Sequence, residues 1–258
     1  MPGLEHHHLN EHLRLRAAQL VGLPAANTEI MTRGDIEVLV CERYDRRLVG
    51  GRWQRIHQED LCQALAVHPS MKYQAAGGPG IAKIAALLRG LAAPDRQQSA
   101  RRFFDALVYN VLIGATDAHA KNYSLLLGPA SRAQLGPLYD VATVLPYDQR
   151  PDHTSAMKIG STWQMRKVTR QDWGAVATAL GLPVEQAMER VTALRAAVPK
   201  ALHRAAREDT VPEPLRQQAI RIADLVTAHV ENRRASFAVL DPTASSPTTG
   251  GGSTDPGR

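Results

Sequence analysis

The stretch NVLIGATDAHAKNYSLLL, residues 110–127, decides how this chain is read. It leaves an apolar, helix-like segment, crosses a polar knot and enters a second apolar run. The knot places Asp117, His119, Lys121 and Asn122 within six residues. Such groups are costly to bury without partners, so their position between two segments built for burial asks for a reason. Upstream, Phe103, Ala106, Leu107, Asn110 and Val111 recur at i, i+3, i+4 spacing, which predicts a long buried helix over 95–114 that delivers Asp117 to its place. Downstream, YSLLL and QLGPLYDV predict two short strands around the Gly128-Pro129 turn, with Asp140 on the second strand.

Working outward, LNEHLRLRAAQLVGLP has Leu and Ala at helical spacing and stops at Gly22 and Pro24. TEIMTRGDIEVLVCERYD reads as a hairpin about Arg33-Gly34-Asp35. QEDLCQALAV predicts a short helix, KYQAAGGPG a loop and IAKIAALLRGL another helix. Beyond Gln171 the pattern is helical through QDWGAVATALGL, VEQAMERVTALRAAV and a last helix from about Pro214 to Arg234. The Pro/Gly/Ser/Thr-rich tail, 236–258, has no apolar anchors and is expected to be disordered. The chain therefore reads as mainly α with short β-hairpins, an α+β fold.

Composition narrows the class. A length of 258 residues permits a sizeable core. No run of eighteen apolar residues and no basic-then-apolar leader is present in the sequence, so a soluble, cytoplasmic protein without a membrane contact is expected. Cys41 and Cys62 form no CxxC pair and lie in apolar stretches, which predicts buried, reduced thiols. The net charge of +6 invites a nucleic-acid reading, but the arginines are scattered over helices, as on a solvated basic surface. The histidines of LEHHHLNEH have no carboxylate or cysteine at a helical spacing suited to a closed metal site, so they are read as chain entering a helix rather than a metal site. GGPG, residues 77–80, lacks the lysine of a phosphate loop and follows no strand, so it reads as a turn and helix start.

Asp117 and Asn122 form D-x-x-x-x-N, and Asp140 follows Asn122 by eighteen residues. Phosphoryl transfer from a nucleotide needs such parts: one carboxylate to orient and deprotonate the acceptor hydroxyl, and an amide oxygen with a second carboxylate to hold magnesium at the phosphates. The pair alone is common, since Asp or Asn after a helix is ordinarily a cap or turn residue. Asp140, in the same order and spacing as a kinase metal ligand, strengthens the catalytic reading without by itself displacing the cap-or-turn one.

IGATDAHAKNYSLLL followed by PLYDVAT closely resembles the catalytic and metal-binding segments of the HipA family, the serine/threonine kinase toxins of bacterial toxin-antitoxin pairs. NEHLRLRAAQLVGLPAANTEI, VLVCERYDR, QEDLCQAL and KYQAAGGPGI match further landmarks in the family's order, so the resemblance covers roughly residues 2–234. It implies a protein-kinase-like large C-lobe using ATP and Mg2+. Asp117 would be the catalytic base, and Asn122 and Asp140 the magnesium ligands. His119 and Lys121 would lie along the phosphates, Glu42, Arg43 and Tyr44 at the adenine hinge, and Tyr139 before the metal aspartate. Residues 1–45 would be the end of the N-lobe with the hinge hairpin, and 46–235 the catalytic C-lobe.

The resemblance also implies phosphorylation of a serine on a protein, with an aminoacyl-tRNA synthetase as the suggested target. The implied partners are a HipB-like antitoxin or a separately encoded N-terminal part, with DNA reached only through the antitoxin. The chain departs from the family pattern at its front: no Gly-rich loop precedes Leu9, and the first lysine is Lys72. Losing one preorganised donor to developing charge costs roughly 10²- to 10³-fold in rate, so the chain by itself is expected to be a poor kinase. The alternative is a truncated, catalytically weak remnant acting as a protein-binding module. A direct nucleic-acid role ranks last.

Overall fold

A computed structural model describes residues 4–232 apart from 94, 149 and 151. The expected tail, the last two residues of the expected final helix and the proline at the expected start of the long helix therefore lie outside the described residues. The central element is the helix predicted over 95–114, found as α4 (Asp95–Ile113) after α1 (His7–Leu20), α2 (Leu61–Ala64) and α3 (Ile81–Arg89). Phe103, Ala106, Leu107, Asn110 and Val111 are all buried on it, as their spacing requires. The later helices α5 (Arg170–Leu180), α6 (Val184–Arg207) and α7 (Arg216–Asn232) pack with α1 and α3 around α4. A capping box at Thr169 and Asp172 starts α5, and left-handed Gly181 ends it. The fragment VEQAMERVTALRAAV predicts too short a helix: α6 runs past Pro199 to Arg207. Its apolar face continues through Ala201, Leu202, Ala205 and Ala206, and their burial outweighs the one backbone bond that proline forgoes.

The β structure is a set of small antiparallel pieces. Strands β1 (Thr28–Arg33) and β2 (Ile36–Cys41) form the hairpin expected about Gly34, with Thr28 opposite Cys41. Strands β3 (Arg46–Val49) and β4 (Arg52–Arg55) form a second hairpin across Gly50-Gly51, both in the left-handed region that glycine tolerates. Strand β5 (His57–Asp60) pairs with β6 (Ser124–Leu127), which pairs with β7 (Ala133–Leu135). Strands β8 (Thr154–Ile159) and β9 (Thr162–Gln164) complete the set.

Several expectations need correction. Residues 58–60 are strand rather than helix, because β6 offers them an edge to pair with. Asp60 then caps the short α2 through the Cys62 and Gln63 amides. The β3–β4 and β8–β9 hairpins carry arginine, lysine and polar residues and lack the apolar alternation that marks a half-buried strand. Cys62 is buried and Cys41 is exposed at the end of β2, both as free thiols. A two-stranded hairpin has a solvent face, so an apolar neighbourhood in sequence did not bury Cys41. No helix among the described residues is long and apolar enough to cross a membrane.

Candidate active site

Gly114 ends α4 in the left-handed region, φ 70°, and turns the chain into the polar knot. Two contacts brace the exit: the Ala115 amide donates to Asn110 O at 2.9 Å, and the Val144 amide to Gly114 O at 3.2 Å. Asn110 Nδ2 donates to the buried Tyr123 hydroxyl at 2.9 Å, and the Phe103 ring meets Tyr123 edge-on at 5.1 Å. Both ends of the knot are thereby fixed to one helix. Asn122 closes a 3-10 turn, with its amide donating to His119 O at 3.0 Å, and Tyr123 leads directly into β6.

The segment carrying Asp140 is held separately. It is not a strand: after β7 the chain runs as an irregular loop, and Asp140 adopts φ 54°. That corrects the expected strand through 134–141. Gly136 and Pro137 interrupt the ladder, and an aspartate tolerates the left-handed conformation better than most residues. Leu138 bridges to Ala25, with its amide donating to Pro24 O and its carbonyl accepting from Ala26 N, both at 2.8 Å. Asn10 of α1 clamps the far side, donating to Thr143 O at 2.8 Å and accepting from Thr143 N at 3.3 Å. The conformation at Asp140 is thus imposed from both flanks.

These supports bring all nine residues singled out from the sequence to one cleft of about 650 Å³: Asp117, His119, Lys121, Asn122, Tyr139, Asp140, Glu42, Arg43 and Tyr44. Asn122 Nδ2 donates to Asp140 Oδ2 at 2.8 Å and to Asp140 O at 3.1 Å. Asn122 Oδ1 is buried without a hydrogen-bond partner. A free amide oxygen beside a carboxylate is an all-oxygen donor pair of the kind that suits a hard divalent cation, so the residues fit magnesium. Asp117 Oδ1 accepts a hydrogen bond from Tyr73 OH at 2.5 Å. His119 is buried with its ring 5.0 Å from that of Tyr73, and burial holds its pKa below the ordinary value against the opposing charge of Asp117. Tyr139 OH donates to Lys121 O at 2.5 Å and shares a 2.7 Å contact with Ser124 Oγ. On the hairpin side, Glu42 accepts from Asn27 Nδ2 at 2.8 Å, Arg43 pairs with the buried Asp45, and the Tyr44 ring lies 6.0 Å from Tyr139.

Four residues of this region escaped the sequence reading. Glu11, Asp60 and Lys72 line the cleft, and Tyr73 touches Asp117. Burial, helped by the charge of Asp140, pushes the Glu11 carboxyl up to about 7. Glu11 sits in NEH and Lys72-Tyr73 in KYQAAGGPG, both recognised there as landmarks but without roles. A fifth grouping is purely tertiary. His6, His8 and Glu37 bring one ligand atom each within 4.8 Å of one another, because β2 carries Glu37 to the start of α1. Spacing along a helix could not reveal this set.

The GGPG turn is structural where it stands. A Cβ on Gly78 would lie 1.9 Å from Met71 O and 2.7 Å from Tyr73 O, so only glycine lets the turn close against the backbone of the Lys72-Tyr73 segment.

Comparison with known proteins follows the same lines. Residues 2–202 match the HipA-like C-terminal domain. A putative kinase, Y4mE, of Sinorhizobium fredii is 36% identical over 191 residues, covering 72% of this chain and 44% of that protein. The serine/threonine-protein kinase toxin HipA of Shewanella oneidensis is 32% identical over 211 residues, covering 77% of this chain and 48% of that one. The chain thus spans about half the length of the curated relatives it matches. Among solved structures, the Shewanella oneidensis HipA in complex with HipB and operator DNA superposes with a TM-score of 0.76 at 26% identity, over 88% of this chain and 56% of that chain. The Helicobacter pylori proinflammatory kinase CtkA shares the fold, with a TM-score of 0.60 at 12% identity, over 88% of this chain and 82% of that one. The architecture is that of a kinase-like α+β lobe.

Proposed function

The chain belongs to the family of HipA-like C-terminal domains, and on that premise we propose that it is the catalytic lobe of a serine/threonine protein kinase transferring the terminal phosphate of ATP to a protein hydroxyl. The observation that carries this reading is the meeting of Asp117, Asn122 and Asp140 at one cleft, with Asn122 bonded to Asp140 at 2.8 Å. Magnesium, when bound, neutralises phosphate charge. Asn122 Oδ1 and the Asp140 carboxylate would hold it. Asp117 orients the acceptor hydroxyl and takes its proton as the oxygen bonds to the terminal phosphorus, while the bond to the bridging oxygen breaks and its electron pair leaves with ADP. Lys121 and His119 lie along the phosphates, and Lys121 offers charge to the transferring group. Glu42, Arg43 and Tyr44 form the hinge against the base, between a small-lobe edge at 1–45 and the large lobe from 46 on.

The hairpin wall supports a second element of the reading. Ile36, Val38 and Val40 project exposed from β2, and Leu48, Val49 and Trp53 from the β3–β4 hairpin. Apolar faces of this kind are ordinarily covered. We assign the cover to a further polypeptide segment that closes the nucleotide side, within a longer protein or as a separate chain. A HipB-like antitoxin is the partner suggested by the Shewanella complex, with DNA reached only through it, in the cytoplasm. An aminoacyl-tRNA synthetase is the first protein substrate to test.

The decisive experiment is calorimetric titration of the chain with ATP and magnesium, beside Asp140→Ala. Magnesium-dependent binding that disappears in the variant supports an assembled site. Equal binding in both proteins removes Asp140 from the metal site and the reading with it.

A further inference from the structure

A second groove, of about 760 Å³, adjoins the cleft at the proposed base. Thr116 lines the groove and Asp117 the cleft, so the two hollows meet at consecutive residues. Tyr73 lines the groove, and its hydroxyl donates at 2.5 Å to Asp117 Oδ1. A phenol hydroxyl donating to a carboxylate makes the contact that an acceptor hydroxyl makes with a general base. The bond keeps the Tyr73 phenol protonated, raising its pKa to about 12, and so keeps it a donor.

The placement of Tyr73 is built rather than incidental. The Gly78 amide donates to Tyr73 O at 2.9 Å across the turn that only glycine can close, and the ring stacks edge-on against His119. Gln74, the next residue, accepts from the Lys158 amide at 2.8 Å and so ties the segment to β8 on the groove's opposite wall. Among the described residues the ring is held by the Asp117 hydrogen bond, the edge-on contact with His119 and Lys72 Nζ 5.0 Å from its centre. All three are made by groups outside the backbone of its turn, so it can turn away without unfolding that turn.

The chemistry of the walls defines what the groove accepts. Its twelve lining residues include Lys158 and Lys167 and no carboxylate; the rest are small, hydroxyl-bearing, amide or aromatic. No ion pair joins either lysine to a carboxylate among the described residues; Asp172, which lines the adjoining hollow with Lys167, accepts from Ser161 and Thr169 instead. Two unpaired cations beside Trp163 and a row of Thr and Ser hydroxyls suit an extended peptide with acidic side chains.

We propose that this groove takes the acceptor segment of the protein substrate, a peptide with acidic residues flanking its hydroxyl, and that Tyr73 keeps the acceptor's seat at Asp117 until the peptide arrives. The proposal rests on the kinase reading of Asp117. Binding swings Tyr73 off Asp117, so the seat is filled either by phenol or by substrate and never by both.

The test uses the whole chain and fluorescein-labelled short peptides carrying one serine, flanked by glutamates in one and lysines in the other, read by anisotropy at low salt. The glutamate peptide binds, and the double variant Lys158→Ala, Lys167→Ala weakens it about tenfold, as expected for two partly exposed charge pairs. Tyr73→Phe tightens it several-fold, because the competing bond to a charged acceptor is gone. Thermal melts of each variant show that the fold is kept. Equal affinity for the two peptides, no binding of either, or an unchanged double variant overturns the acidic-acceptor assignment. Weaker binding by Tyr73→Phe overturns the gate. The magnesium-dependent ATP titration of the same chain reports the underlying reading separately: peptide discrimination without nucleotide binding leaves the groove in place and removes the kinase assignment.

Discussion

The two walls of the cleft differ in what supports them. On one side Asp117 and Asn122 hang from α4, where Phe103, Val108, Tyr109, Leu112 and Ile113 are fully buried and Asn110 bonds Tyr123. On the other side Glu42, Arg43 and Tyr44 link two separate hairpins, from which Ile36, Leu48 and Trp53 project at 66, 57 and 71% exposure. Isolated two-stranded ribbons are marginal by themselves. The proposed chemistry would thus rest on a close-packed core, because proton transfer and metal ligation need fixed distances. The hairpin wall keeps its apolar faces exposed, which is why we assign them a further covering segment.

Substitutions separate the two walls by the size of their effect. Phe103→Ala should cost about 3–5 kcal/mol of stability, from lost burial and the cavity left behind, and chemical denaturation will measure it. A loss under 1 kcal/mol would mean that α4 is not the support described here. The next effect is that of pH, through His12, buried in α1 between the hydroxyls of Thr28 and Thr210. Desolvation, with the charge of Arg16, lowers its pKa to about 4, partly opposed by Glu208. The unfolded chain binds the proton more readily, so the His12 contribution to stability is full above about pH 6.5 and is lost as pH drops towards 4, by about 3 kcal/mol in all. Glu11, pushed up to about 7, contributes a slope of opposite sign over the same range. The His12 contribution is therefore read as the difference in denaturation midpoints between the chain and His12→Gln from pH 7.5 to 4.5.

Asn110→Ala removes the donor to the buried Tyr123 hydroxyl and should cost about 1–3 kcal/mol, with a matching loss of magnesium-nucleotide affinity as the knot loosens. Stability loss without any change in binding would show that the knot is held by β6 alone. The smallest effect belongs to the hairpin wall. Trp53→Ser should change stability by less than about 0.5 kcal/mol, since the side chain is mostly in water already. It should instead lower self-association at high concentration, measured by sedimentation. A large destabilisation would show that the hairpin is integral to the core, and the contrast between the walls would fail.

What could be read in advance follows from how locally each feature is encoded. The period of α4, the turn at Gly34 and the order Asp117, Asn122, Asp140 are all patterns within short windows, and each reappears in the fold. The β3–β4 hairpin was illegible because strands with both faces polar or solvated carry no alternation, and β8 was illegible because its buried Ala156, Met157 and Ile159 do not alternate with polar residues. Glu11 and Tyr73 were missed for a different reason. Nothing nearby in sequence distinguishes Glu11 from a solvated helix charge or Tyr73 from a loop aromatic, and each acquires its character from a partner more than forty residues away.

The sequence by itself determined a helical lobe built on α4, a polar knot held between two buried segments and the set of oxygen donors within it. Those follow from periodicity and residue chemistry, which act over a few turns of chain. Only the tertiary structure decided that Asp140 sits in a left-handed loop clamped by Asn10 and Ala26, that Tyr73 occupies the hydrogen-bonding seat at Asp117, and that a cationic groove opens beside it. These depend on which distant segments are buried against one another, and packing sets that choice only when the whole core closes at once.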